Sequence, residues 1–171
     1  MLLEPKAIAD MLVKGGKVFV ERTHPDAIWI DGIERSVQLD SYSCGAQSTF
    51  MVLQYFGKAR SIEAVTNALG TSEGSGTKET AMKRLLRSRG LRISKVQGIR
   101  GIERAIQNEW PVIAWMYNSA LDEDHWLVVY GYTRSHIWVL DPSPRKTLGI
   151  QVSRAVFNRR WSGSAFSVGQ R

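Results

Sequence analysis

Up to about residue 110 the hydrophobic positions recur every three or four residues; beyond it they crowd into short runs broken by turn residues. The early spacing predicts helices over residues 5–14, 44–56 and 62–69, another from about 77 to 89, and one near 102–109. Ser61 and Thr77 stand as caps at two of these starts, and Gly57 and Gly70 as stops. Short extended pieces are expected around 17–20, 27–30 and 91–96. The later runs PVIAWMY, HWLVVYGY, HIWVLDP and LGIQVS are rich in Val, Ile and aromatics, as strands are. Helices first and consecutive strands afterwards make an α+β fold with an antiparallel sheet, not a series of βαβ units. Residues 1–36 read as an appended N-terminal element, and 37–171 as one compact domain.

Size and charge narrow the function. A chain of 171 residues is long enough to bury a proper core. No apolar run approaches the roughly 20 residues that span a bilayer. Glu4 and Asp10 interrupt the N-terminal apolar stretch, which speaks against a signal peptide, so the expected location is the cytoplasm, either free or as a domain of a larger protein. The net charge is +7, with the densest basic cluster at Lys83, Arg84, Arg87, Arg89, Arg92 and Lys95. Helical spacing leaves Ala81, Met82, Leu85 and Leu86 as the apolar stripe there, so the cations read first as a solvated face. A surface for an acidic partner comes second. Nucleic acid comes last, because no aromatic or Gly-rich recognition motif accompanies the charge.

Cys44 is the single cysteine, so the chain has no internal disulfide and no CxxC motif. It follows the polar entry Ser41, Tyr42 and Ser43 and opens an apolar helix. A thiol in a first helical turn faces unpaired N–H groups and the positive end of the helix dipole, which favour thiolate. Such a nucleophile needs a base. Of three histidines, His24 lies in a loop-like stretch before a proline and His136 at a hairpin turn, whereas His125 enters a buried strand. Asp141 ends the next strand. A tight two-residue turn at 133–136 sets Asp141 opposite Val128 and aims it at the wrong face; a longer or bulged connection sets it opposite Leu127, on the side of His125. With that register, Cys44 attacks a carbonyl, His125 carries the proton and Asp141 orients the imidazole. Gln38, six residues before Cys44, supplies an uncharged amide for an oxyanion beside the Cys44 backbone N–H.

Together, Gln38, Cys44-Gly45, Phe56-Gly57, Gly74 and Gly76, Gly90-Leu91, Pro111, His125-Trp126 and Asp141-Pro142 resemble a papain-like cysteine peptidase. More narrowly, they resemble the bacteriocin-processing, double-glycine leader peptidase family. The resemblance implies a papain-like fold, with a helical half and a central Cys-bearing helix packed on a C-terminal antiparallel sheet. It also implies no cofactor and cleavage of a peptide or protein substrate after small residues such as Gly-Gly. Two departures stand out: Ser43 occupies a position that is commonly acidic in the family, and the chain has no Walker A sequence. A catalytically silent peptide-binding module and a thiol amide hydrolase or acyltransferase effector remain as alternative readings. The run Asp122-Glu123-Asp124-His125 carries acidic groups, but consecutive loop residues do not converge on one ion, and no metal is expected.

Overall fold

The computed structural model describes residues 24–118, 123–144 and 150–170. The helix expected over 5–14 and the extended piece over 17–20 lie outside them. Twelve elements follow in order: β1 (Ile28–Trp29), α1 (Cys44–Tyr55), α2 (Ile62–Leu69), α3 (Glu79–Ser88), β2 (Leu91–Lys95), α4 (Gly98–Gln107), β3 (Val112–Asn118), β4 (Glu123–Tyr132), β5 (His136–Leu140), β6 (Ile150–Ser153), α5 (Arg154–Arg160) and β7 (Trp161–Gln170). The strands form one antiparallel sheet in the order β2-β7-β3-β4-β5-β6, with β1 added alongside β4. The fold is α+β.

Period-two alternation builds two cores, one on each face of the sheet. Trp126 and Val128 of β4 join Ile113, Phe166 and Val168 beneath α1, α2 and α3. Leu127 and Val129 join Val112, Ala114 and Ala165 beneath α4 and α5, whose Ile102, Ile106 and Phe157 are fully buried. Each such large side chain contributes roughly 1.5–3 kcal/mol by leaving water. Helix α1 is buried from Cys44 through Leu53, because it lies between the sheet and the other two helices of its layer. A helix covered on every side needs no amphipathic stripe, and the buried Thr49 is accommodated because its Oγ1 donates to the Gly45 carbonyl at 2.7 Å.

Several boundaries differ from the sequence expectation. Helix α2 begins and ends where its signals stand, with Ser61 Oγ accepting from the Ala64 N–H at 3.2 Å and Gly70 in the left-handed region at φ +63°. Helix α3 starts one residue later than a Thr77 cap implies, and the Thr77 hydroxyl bonds that of Thr71 at 2.9 Å instead. Helix α4 begins at Gly98, four residues earlier than expected; two glycines mask its first turn, while Ile102, Ala105 and Ile106 supply the buried face. No element was expected after β6, yet α5 and β7 follow it. Strand β7 is rich in Ser and Gly and still occupies an internal place between β2 and β3. There a Cβ at Gly169 would come within 2.4 Å of the Trp110 ring, so the small residue is what lets Trp110 pack.

The β4–β5 hairpin decides where Asp141 falls. Its turn is the two-residue kind, with the Thr133 N–H bonding the His136 carbonyl at 2.9 Å and Tyr132 opposite Ile137. Carried on unchanged, that register would put Asp141 opposite Val128. A bulge at Tyr130 adds one residue to β4, so that Val129 faces Val139 and Val128 faces Leu140. The next position therefore aligns Asp141 with Leu127. Strand β1 sits against the bulge: the Ile30 N–H donates to the Tyr130 carbonyl at 2.7 Å, and Trp29 faces Gly131. Of the stretch 1–36, Ile28 and Trp29 thus join the sheet and Ile30 its second core.

A Cβ at Gly131 would lie 2.7 Å from Trp29 Cβ and 3.1 Å from the Ile28 carbonyl oxygen. Gly131→Ala is expected to destabilise the protein by about 1–3 kcal/mol, the usual range for overpacking, measured as a lowered denaturant midpoint with an unchanged slope.

Candidate active site

The approach to α1 is shaped by Asp40. Its Oδ1 accepts the backbone N–H groups of Tyr42 at 2.9 Å and Ser43 at 2.7 Å, an Asx turn that delivers the chain into the helix. The Asp40 carbonyl in turn accepts the Gln38 side-chain amide at 2.7 Å. Gln38 is buried, and its backbone N–H donates to the Pro142 carbonyl at 2.8 Å. Cys44 is the first residue of the helix and is 8% exposed. Gly45 behind it is a matter of space. A Cβ there would stand 2.6 Å from Thr77 Cβ and 3.0 Å from the Trp126 ring.

His125 and Asp141 meet where β5 leaves the ladder, one position past the Val128–Leu140 pair. Nε2 of His125 donates to Asp141 Oδ1 at 2.6 Å, and the two side chains are 17% and 12% exposed. Cys44 is the other side chain that acts on the imidazole, and with Nε2 so engaged Nδ1 is the ring nitrogen left for it. Burial alone depresses the His125 pKa. The hydrogen bonds and negative charges of Asp141 and Cys44 outweigh burial and raise it to about 9. The protonated imidazole is therefore the favoured state at neutral pH, between a carboxylate and a sulfur.

Asp141 is itself held. Its Oδ1 accepts the Ser143 N–H at 2.8 Å, and its carbonyl accepts Arg35 Nε at 2.7 Å. Arg35 Nη2 reaches the Ser143 carbonyl at 2.6 Å. Burial draws the Arg35 pKa below its ordinary value, against the opposing pull of the Asp141 charge.

Cys44, His125 and Asp141 thus stand in one contact chain, and Gln38 is tied by its backbone to the residue after Asp141. The other two histidines are elsewhere: His24 lies edge-on to Trp138, and His136 Nδ1 bonds the Ser135 hydroxyl at 2.8 Å. Sequence reasoning missed Asp40 and Arg35. An Asp two and three residues ahead of Tyr42 and Ser43 is a recognisable Asx-turn signal; Arg35 carries none, because its acceptors are carbonyls more than 100 residues away. Among the described residues no group of three or more His, Cys, Asp or Glu is placed to hold a metal ion, and no helix is long and apolar enough to cross a membrane.

Residues 33–171 match the peptidase C39 family. The chain belongs to that family. It is a family of papain-like cysteine peptidases, so the α+β frame and the Cys-bearing helix have the expected ancestry. Among solved structures, the C39 fold recurs in a double-glycine-motif protease of an AMS/PCAT transporter in complex with its leader peptide, at 20% identity and a TM-score of 0.63, covering 85% of this chain and 99% of that one. The peptidase domain of Streptococcus ComA, a bifunctional ABC transporter of a quorum-sensing pathway, gives 18%, 0.66, 82% and 100%. A C39-like peptidase from Bacillus anthracis gives 15%, 0.68, 85% and 98%. No curated protein sequence matches.

The raised His125 pKa has a consequence for stability. An unfolded histidine titrates near 6.5, so preferential protonation in the folded state stabilises it fully below about pH 6.5 and is lost as pH rises through about 9. The stability difference between the wild type and His125→Gln, followed by denaturant midpoints, is expected to narrow over that window by up to about 3 kcal/mol; a difference constant from pH 6 to 10 would contradict the geometry.

Proposed function

We propose that this C39 peptidase hydrolyses peptide bonds with Cys44 as nucleophile, His125 as proton carrier, Asp141 as its orienter and Gln38 as an oxyanion donor, and that it cuts after a pair of small residues of the double-glycine kind. The observation that carries the reading is the doubly engaged imidazole, with Asp141 on Nε2 and Cys44 on the other side, at the N-terminus of α1. The Cys44 thiolate adds to the scissile carbonyl carbon, and the electron pair of the C=O bond moves to oxygen. The Cys44 N–H and the Gln38 amide hydrogen not used by Asp40 donate to that oxyanion. Collapse of the adduct expels the amine, which takes the proton from His125 and leaves a thioester. Water, giving its proton to His125, then adds to the thioester; the acid leaves and the sulfur is thiolate again.

The substrate class rests on kinship, since one structural relative is a complex with a leader peptide.

A library of peptides carrying Gly-Gly, or bulkier pairs, ahead of the cleavage point tests this by mass spectrometry of products. Cleavage is expected behind the small pair, none in Cys44→Ala with its thermal unfolding unchanged, and a fall of about 100-fold or more in kcat for Gln38→Ala. Asp141→Asn should keep partial turnover. Cutting that persists in Cys44→Ala would overturn the mechanism, and indifference to residue size would overturn the double-glycine specificity alone.

A further inference from the structure

Three hydrogen bonds tie the loop before α1 to the turn after β5. Arg35 Nε and Nη2 fork onto the carbonyls of Asp141 and Ser143 at 2.7 and 2.6 Å, and the Gln38 N–H reaches the intervening Pro142 carbonyl at 2.8 Å. The guanidinium is partly buried and bonds the main chain on both sides of the proline, so it fixes the path of the turn and not merely its charge. The Asp141 side chain, aimed by that turn, receives both the His125 imidazole and the Ser143 N–H on one oxygen. The same strap positions Gln38, three residues along from Arg35.

We propose that Arg35 is a positioning residue of the active site: its two-pronged grip on the 141–143 turn holds Asp141 against His125 and, through the shared loop, keeps Gln38 in register beside Cys44. The proposal rests on the reading of Cys44 and His125 as the working centre. An arginine suits the task because its planar fork spans two acceptors at fixed spacing, which a lysine ammonium does not.

A charge role and a positioning role predict opposite signs. The titratable groups that act on the imidazole are Asp141 from the end of β5 and Cys44 from α1, and Arg35 acts on Asp141. Deleting a cation near the imidazole, with nothing else moved, would raise the His125 midpoint. Releasing Asp141 from its hydrogen bond would lower it. NMR titration of the His125 ring in wild type, Arg35→Gln and Arg35→Lys separates the two, with thermal unfolding as the check that each variant is folded.

The His125 midpoint is expected to fall from about 9 by about one pH unit or more in Arg35→Gln. Arg35→Lys, which keeps the charge but not the fork, should fall with it, and kcat on a cleaved peptide should drop at least about tenfold in both with little change in KM. A midpoint that stays or rises in a folded variant overturns the proposal, as does full rescue by lysine. Should Arg35→Gln fail to fold, the lysine variant decides the matter alone. A wild type that cuts no peptide, while the midpoint still falls in the variants, would sink the peptidase reading and leave the positioning role standing.

Discussion

An imidazole shut away from water holds a proton at neutral pH only if negative charge is held against it, and His125 is such a case. Desolvation alone would leave it neutral, unable to pair with a thiolate or to protonate a leaving amine. The 2.6 Å bond to Asp141 and the facing sulfur reverse that tendency. Much of the surrounding architecture serves to keep those groups in place. The bulge at Tyr130 brings Asp141 into line with Leu127; Gly131 leaves room for β1 to brace the bulge; Arg35 and Gln38 bind the turn that follows.

The site draws on parts of the chain that are far apart. Cys44 comes from a helix packed on one layer, His125 from the middle of the sheet and Asp141 from the end of an adjoining strand. Asp40 shows the economy of the entry loop. One carboxylate oxygen caps two N–H groups, while the same residue's carbonyl accepts one hydrogen of the Gln38 amide.

What was legible in the sequence follows from which forces are local. Ser61 and Gly70 bound α2 because capping is a matter of neighbouring residues, and the β3–β5 runs announced themselves through Val, Ile and Trp. Strand β7 was hidden, since WSGSAFSVGQ has the composition of a loop, and its pairing with β2 and β3 is won by long-range packing around Trp110 and Phe166. The condition for bringing His125 and Asp141 together was readable as a parity rule. Whether the turn or a bulge met it was not, because the bulge is a shift of strand register whose neighbour β1 lies 100 residues upstream. Cys44, His125, Asp141 and Gln38 stood out as candidates by residue type and order. Arg35 did not, since its hydrogen bonds all go to distant carbonyls.

Whether Cys44 and His125 work as a pair is tested most directly by the rate at which iodoacetamide alkylates Cys44 at neutral pH. Rapid modification that is lost in His125→Ala is the expected result. A slow rate, like that of a free thiol and unchanged in His125→Ala, would contradict the pairing.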